Sequence, residues 1–226
     1  MMRRKTFLLA LAAVSAAMLA LPALVSAQSW HLDNTTSFSV TGSGGNLTST
    51  EGASISCTST TGSGAFSTTT SGSVSLVLHG CTGPFGFACT SAGQSSGTVT
   101  LVTSFDGIMV TSSASEKKAG VLFTPTTSVE PTPGLKQFTE FNCLGISIKL
   151  FGKGLIGTVI SPDCGVASTT VSVGFESSES GHQKDRTYTG NTYDLQTNIS
   201  ATSHPTASLD ATVTLHTPAS RTRNCT

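Results

Sequence analysis

Apolar residues recur at every second position in short windows of this chain, and Ser or Thr fills most of the positions between them. The windows are Phe38 and Val40; Ile55 and Cys57; Val74, Leu76 and Leu78; Val99 and Leu101; Val121 and Phe123; Ile146, Ile148 and Leu150; Val171, Val173 and Phe175; and Leu209, Ala211, Val213 and Leu215. Successive side chains of a β-strand point to opposite faces, so this period of two predicts strands with one buried face and one hydroxyl-rich face.

About ten such strands fit an antiparallel β-sandwich of the jelly-roll or immunoglobulin-like kind. No window after residue 27 has the period of a long helix, so we expect very little helix there. Two stretches rich in Ser, Thr and Gly, residues 42–45 and 58–72, lack the alternation and are predicted to be long surface loops.

A proline-rich segment, residues 124–134, divides the chain near its middle. It fits either a boundary between two halves or an extended crossover between the two sheets of one domain. The single-domain interpretation is preferred, with one β domain over residues 28–226. Residues 181–191 are the most charged stretch and are predicted to form a solvated loop or hairpin tip.

The first 27 residues have the layout of a secretory signal peptide. Arg3, Arg4 and Lys5 precede an apolar run over residues 7–21, and the small residues of Val25-Ser26-Ala27 follow. The run is shorter than the roughly 20 apolar residues that a spanning helix needs. We therefore expect cleavage after Ala27, a mature chain that starts at Gln28, and a protein that is secreted or held at the cell surface without being integral to the membrane.

Composition excludes one class of partner. Only 11% of the residues are charged, and the formal net charge is zero. Removal of the signal peptide lowers the 12 basic residues to nine and leaves all 12 acidic residues. A nucleic-acid-binding protein needs a basic surface, so no nucleic-acid partner is predicted. Ser and Thr make up roughly a third of the chain, which predicts a surface of hydroxyls instead of ion pairs.

Six cysteines follow the cleavage site, and in an exported protein an even number predicts disulfides. Cys81 and Cys89 are predicted to pair, because the residues between them, 82–88, have the character of a hairpin loop. Pairing of Cys57 with Cys143 and of Cys164 with Cys225 follows by elimination. A metal site is the alternative, but the ligand spacings typical of zinc sites are absent from the sequence.

Several short motifs together resemble a group of exported, cysteine-containing β proteins of unknown function that is met mainly in actinobacteria. The motifs are Ile55-Ser56-Cys57-Thr58-Ser59, His79-Gly80-Cys81-Thr82, Ala88-Cys89-Thr90-Ser91-Ala92-Gly93-Gln94 with Gly97-Thr98, and Phe141-Asn142-Cys143. The resemblance covers most of the mature chain and implies a shared fold and export, but it brings no activity and no site residues. Cys164 and Cys225 are additions to the four-cysteine pattern.

Gly93-Gln94-Ser95-Ser96-Gly97 matches the G-x-S-x-G pattern of a nucleophilic serine. That serine needs a strand-to-helix turn, whereas residues 98–103 have the pattern of a strand. A turn is therefore the preferred interpretation of Ser95, and no catalytic residue is predicted.

The five histidines are not at ligand spacing from one another or from a carboxylate, so no metal and no cofactor are predicted. The carboxylates are dispersed along the chain. Two of them would have to meet across a sheet to act as a glycosidase pair.

Aromatic residues supply the only weak candidates for ligand binding. Tyr188 and Tyr193 flank the polar hairpin around Gly190 and are candidates for stacking on a sugar, although cross-strand packing is preferred. Phe85 and Phe87 lie in the loop between two cysteines. They are candidates for an exposed anchor, but a fold back onto the core is preferred.

The preferred hypothesis is a non-enzymatic binding or structural protein outside the cell, with the cell envelope or a polysaccharide as candidate partner. The alternatives are a secreted hydrolase that uses Ser95 or dispersed carboxylates, and a carbohydrate-binding module that uses Tyr188 and Tyr193.

Overall fold

A computed structural model of the chain describes residues 30–32, 37–111, 117–130, 133–199 and 205–225, with side chains at 37–111, 117–130, 133–198 and 205–222. The described residues form sixteen strands and one short 3-10 helix, Pro84–Gly86. The strands are β1 (Trp30–Leu32), β2 (Ser37–Ser49), β3 (Ser54–Cys57), β4 (Ser59–Phe66), β5 (Ser71–His79), β6 (Cys89–Thr90), β7 (Val99–Thr111), β8 (Lys117–Pro125), β9 (Lys136–Cys143), β10 (Ile146–Gly152), β11 (Leu155–Ser161), β12 (Ala167–Phe175), β13 (Thr187–Tyr188), β14 (Asn191–Thr192), β15 (Leu195–Ile199) and β16 (Thr206–Cys225). All eight alternating windows lie within strands, which confirms the predicted all-β class. The predicted signal peptide and its cleavage site lie outside the described residues.

Eight strands close into a barrel. Their order around the ring is β2, β4, β5, β7, β8, β11, β12 and β16, each antiparallel to the next, and β16 pairs again with β2. The sequence predicted a sandwich of about ten strands, and the ring replaces its two open sheets. The closing contact joins Ser39–Ser49 of β2 to Ala207–His216 of β16, and two segments so far apart in the chain leave no local signature of their pairing.

The barrel has two unlike ends, because its strands follow one another in chain order. At one end the connections β4–β5, β7–β8 and β11–β12 contain four or five residues each. We call this the hairpin end. At the other end the chain inserts β3, β6, β9 with β10, and β13 to β15 between consecutive barrel strands. We call this the insertion end.

The insertions build an extension of the barrel sheet. Beyond the ring, β16 pairs with β15, and the order continues through β10 and β9 to β6, while β3 pairs with the last residues of β2. Strands β2 and β16 belong to both the ring and the extension because they are 13 and 20 residues long. Residues of β9 and β15, including Phe138 and Leu195, share one buried core with the inward faces of the barrel strands.

Inward-facing glycines explain why strand β4 was not predicted from the sequence. Residues 42–45 and 58–72 were predicted to be loops, but β2 and β4 run through them. Gly62 and Gly64 face into the barrel, where Leu76 and Phe38 of the neighbouring strands occupy the space that larger side chains would take. The apolar side chains that fill the space beside these two glycines therefore belong to other strands. Residues 58–72 consequently lack the alternation of a strand and resemble a flexible linker.

Two disulfides join the insertions to one another. Cys57 pairs with Cys81, and Cys89 pairs with Cys143, so the predicted pairs Cys81–Cys89 and Cys57–Cys143 are wrong. The predicted hairpin over residues 82–88 does form, with a bridge between Thr82 and Ala88.

Strand pairing decides these partners. Cys89 lies directly opposite Cys143 in the β6–β9 ladder, and a bridge between Ser56 and Thr82 places Cys57 beside Cys81. Cys164 is also disulfide-bonded. The side chain of Cys225 lies outside the described residues, so the pair Cys164–Cys225 stays a prediction. Two disulfides are consistent with an extracellular protein.

None of the described residues belongs to a helix with the length and hydropathy needed to cross a bilayer.

Candidate functional site

The barrel encloses an apolar cavity. Its volume is about 120 Å³, and its walls are built by 28 residues from all eight barrel strands and from β3, β9, β10 and β15. None of the 28 is charged, and only Thr60, Thr103 and Thr139 carry a hydroxyl group. The cavity is therefore suited to an apolar occupant.

An aromatic cluster forms the wall of the cavity toward the hairpin end. The rings of Phe38, Phe66 and Phe105 pack edge to face, with centroids 5.0–5.7 Å apart. Further toward the insertion end, β5 and β7 place Val74 opposite Thr103 and Leu76 opposite Leu101. The alternation that predicted the strands therefore also produces the lining of the cavity.

The three hydroxyl groups of the lining differ in their partners. Thr139 Oγ1 donates a hydrogen bond to the carbonyl oxygen of Thr100 at 2.7 Å. Thr103 is 1% exposed, and its Oγ1 atom has no hydrogen-bond partner. Two other buried side-chain atoms of the described residues share this property, Thr197 Oγ1 and Arg221 Nε, but neither residue lines the cavity.

Tyr188 and Tyr193 do not present a flat, exposed aromatic face. Both are half-buried and pack against Ile108, Leu122 and Ile156 on the outside of the barrel. Burial raises the pKa of Tyr188, and the neighbouring Tyr193 and Asp106 raise it further. Their packing matches the structural role that the sequence analysis preferred.

Phe85 and Phe87 lie at the insertion end, beside the Cys89–Cys143 disulfide. Phe85 is 96% exposed and Phe87 is 42% exposed, so the preferred fold back onto the core is wrong. Phe85 lies in the short helical turn with a φ of 64°, in the left-handed region. Two more exposed hydrophobic residues follow Cys143: Leu144 lies in the β9–β10 turn, and Ile146 is the first residue of β10.

Ser95 lies in a turn that leads into strand β7, as predicted. Its Oγ atom is 3.1 Å from Thr98 Oγ1, and no hydrogen bond to a histidine is found for it among the described residues. His79 and His216 are hydrogen-bonded to Thr61 and Thr41 on the outside of the barrel, at 2.9 and 2.8 Å.

Asp185, Asp194 and Asp210 each accept hydrogen bonds from neighbouring groups. Thr158 Oγ1 donates to Asp185 Oδ2 at 2.5 Å, and Arg186 bonds both carboxylate oxygens of Asp194 at 3.2–3.3 Å. The backbone N–H and the hydroxyl group of Ser177 both donate to Asp210. Within the described part of the chain, no three residues among His, Cys, Asp and Glu are grouped so that they could hold a metal ion.

Sequence reasoning missed the cavity, although it identified most of the side chains that line it. An interior void requires a closed ring, and the closing contact between β2 and β16 is not visible in any local pattern. One signal for Thr103 was present: it continues the inward series of Val99 and Leu101 and precedes Phe105 at the same spacing. A hydroxyl group in such a series is a buried polar group that needs a partner.

Comparison with models of known protein families, with curated proteins and with solved structures finds no match for this chain.

Proposed function

We propose that this protein binds one small apolar molecule inside its barrel, outside the cell or at the cell surface, and does not transform it. The cavity is the observation that carries the proposal. Barrels of eight strands are either filled by their own side chains or hold one small ligand. This barrel keeps a cavity of about 120 Å³, roughly ten times the about 10–15 Å³ that one water molecule requires.

The chemistry of the walls argues against water as the occupant. A buried water molecule needs two to four polar partners, and the lining offers three hydroxyl groups, one of them already committed to Thr100. Apolar cavities of comparable size remain dry and accept small aromatic molecules. An apolar ligand would gain dispersion contacts with the walls and leave bulk water at the same time.

Two leucines of the cavity wall have exposed apolar surface that a ligand would cover. Leu76 and Leu101 point into the barrel, yet both are only partly buried, whereas Val74 on the same face is 3% exposed. Since they face inward, the surface that they expose borders the cavity. Well-packed interiors leave few voids larger than a water molecule, so such exposure is what a ligand would remove.

A binding role outside the cell is consistent with the other features of the chain. The predicted signal peptide, the disulfides and the resemblance to an exported group all support export. The disulfides join three of the four connections at the insertion end, which would hold that end of the cavity in a fixed shape.

The test is the binding of toluene, a small aromatic hydrocarbon, to the purified and oxidised protein, measured by isothermal titration calorimetry. We expect saturable binding. Leu101→Trp should lower the affinity at least about tenfold, because the indole ring enters the cavity. Val102→Trp is the matched control, since Val102 is the next residue on the same strand and is 49% exposed. It should leave the affinity unchanged.

Thermal unfolding of both variants separates a blocked cavity from a misfolded protein. Overpacking typically costs about 1–3 kcal/mol, so Leu101→Trp should still fold cooperatively. If the wild-type protein does not bind toluene, or if both variants bind it equally well, the proposal fails and the barrel is better understood as a structural element.

A further inference from the structure

Four large apolar side chains are exposed on two neighbouring connections at the insertion end. Their exposed fractions are 96%, 42%, 64% and 49% in chain order. Cys89 lies opposite Cys143 in the β6–β9 ladder and is bonded to it, so the residues just before Cys89 run beside the residues just after Cys143. We call the four residues the apolar tip: Phe85, Phe87, Leu144 and Ile146.

Folding does not account for a phenylalanine at position 85. The ring is 96% exposed, so it gains almost nothing from the protein core. The backbone has a φ of 64°, a conformation that suits glycine or asparagine and is unusual for a bulky side chain. A large apolar residue that neither packs inside nor suits its backbone indicates a contact with something outside this chain.

The surroundings of the apolar tip carry no charge in the sequence. Residues 80–98 and 141–148 contain no Asp, Glu, Lys, Arg or His. The residues that flank the second stretch, Glu140 and Lys149, lie opposite each other on β9 and β10 and form an ion pair at 3.7 Å. Since burial of an unpaired charge is costly, this neutral surface is complementary to an uncharged, apolar phase.

The polar backbone groups of the apolar tip are bonded within its own loops. Gly83 N–H donates to the carbonyl oxygen of Phe87 at 2.8 Å, and Gly86 N–H donates to that of Gly83 at 3.1 Å. In the second loop, Gly145 N–H donates to Asn142 Oδ1 at 2.6 Å. Lipid requires such internal bonding, because it offers no partners to the backbone. A protein interface instead needs about one hydrogen bond per 100–200 Å² across the contact.

We propose that the apolar tip inserts into the surface of a lipid bilayer whose headgroups carry no net charge, so that the protein docks on a membrane through its insertion end. Phe85 is the main anchor because it is the most exposed of the four residues. The Cys89–Cys143 disulfide joins the two loops, so they enter the lipid together. This docking does not depend on the occupant of the cavity.

The test is co-sedimentation of the purified, oxidised protein with sucrose-loaded phosphatidylcholine vesicles. We expect saturable binding that is equal at about 0.1 M and about 1 M salt, although the Debye length falls from about 10 Å to about 3 Å. Phe85→Asn should weaken binding at least about tenfold, the factor that burial of a phenylalanine side chain contributes. Asparagine tolerates the backbone conformation at this position, so the loop should keep its shape.

Val166→Ser is the matched control. Val166 is 49% exposed and lies in the β11–β12 connection, at the opposite end of the barrel. Its replacement should leave vesicle binding unchanged. A second measurement uses Phe85→Trp and Val166→Trp with vesicles of brominated phosphatidylcholine, in which only the tryptophan at position 85 should be quenched. The native Trp30 contributes equally to both variants.

Three results would overturn the proposal: no pelleting of the wild-type protein, equal pelleting of Phe85→Asn, or equal quenching at positions 85 and 166. If the wild-type protein ignores vesicles but forms a dimer that Phe85→Asn abolishes in sedimentation velocity, the apolar tip is a contact between copies of this chain and the lipid proposal is wrong. Toluene binding is measured without vesicles, so each of these failures leaves the proposed function intact.

Discussion

The ring of Phe38 occupies the space above Gly64 on the neighbouring barrel strand. A Cβ atom added to Gly64 would lie 2.3 Å from Cζ of Phe38 and 2.5 Å from the carbonyl oxygen of Ser73. Phe38 in turn packs against Phe66 and Phe105. The absence of a side chain at Gly64 therefore leaves the space in which these three rings pack together.

Gly64→Ala should therefore destabilise the protein by about 1–3 kcal/mol, the usual cost of overpacking a core. Chemical denaturation measures the free energy of unfolding. Ser63→Ala is the control, because Ser63 is exposed on the outer face of the same strand, and its effect should stay within about 0.5 kcal/mol. Equal effects of the two substitutions would contradict the close packing of Phe38 on Gly64.

The pairing of the cysteines predicts the result of peptide mapping without reduction. The digest should contain linked peptides for Cys57–Cys81 and for Cys89–Cys143. The sequence separations are 24 and 54 residues, for which chain entropy gives about 3.5 and about 4 kcal/mol of stabilisation.

Joint replacement of Cys57 and Cys81 by serine should accordingly lower the free energy of unfolding by about 2–4 kcal/mol. The same measurement on the wild-type protein under reducing conditions should show a larger loss. A peptide that links Cys81 to Cys89 would refute the strand pairing described for the insertion end.

Gln183 connects the loop between β12 and β13 to the barrel strand β16 by hydrogen bonds. It is 1% exposed, and its amide nitrogen donates to the carbonyl oxygens of Glu176 and Leu209, while its amide oxygen accepts from the backbone N–H of Leu209. Gln183→Ala would leave both backbone groups of Leu209 without these partners.

We expect Gln183→Ala to cost about 2–4 kcal/mol, since each unsatisfied buried group costs about 1–3 kcal/mol. Hydrogen exchange at the amide of Leu209 should become faster by a corresponding factor. Gln94→Ala, at an exposed glutamine, is the control and should change neither quantity. Unchanged exchange at Leu209 in Gln183→Ala would show that other contacts hold this loop.

Asp106 makes the stability of the protein depend on pH. Partial burial raises the pKa of its carboxyl group above the ordinary value of 3.8. A raised pKa means that the folded state binds the proton more tightly than the unfolded state. The charged form therefore opposes folding, and this destabilisation grows as the pH rises from 3.8 through the folded-state pKa and then stays constant.

Asp106→Asn should consequently raise the midpoint of thermal unfolding at pH 7 and have little effect at pH 3, where the wild-type carboxyl group is protonated in both states. Differential scanning calorimetry at the two pH values measures the difference. Asp163→Asn, at an exposed carboxylate in the β11–β12 connection, serves as the control. A larger gain at pH 3 than at pH 7 would contradict the direction of the shift.

The amino-acid sequence determined the class of the fold and the faces of its strands. Val74, Leu76 and Leu78 alternate with small or β-branched residues, and this local pattern is sufficient to place them on one inward face of β5. The even number of cysteines also predicted disulfides. Each of these inferences depends only on residues close together in the chain or on composition.

The tertiary structure decided everything that depends on which distant strands meet. The pairing of β2 with β16 turns a set of amphipathic strands into a closed barrel, and only a closed barrel has an interior cavity. The partner of Cys81 and the isolation of the Thr103 hydroxyl group follow from the same strand order. The alternation of apolar and polar residues predicts which side chains point into the protein. It does not predict their neighbours there, because strand register and barrel closure are set by contacts between residues far apart in sequence.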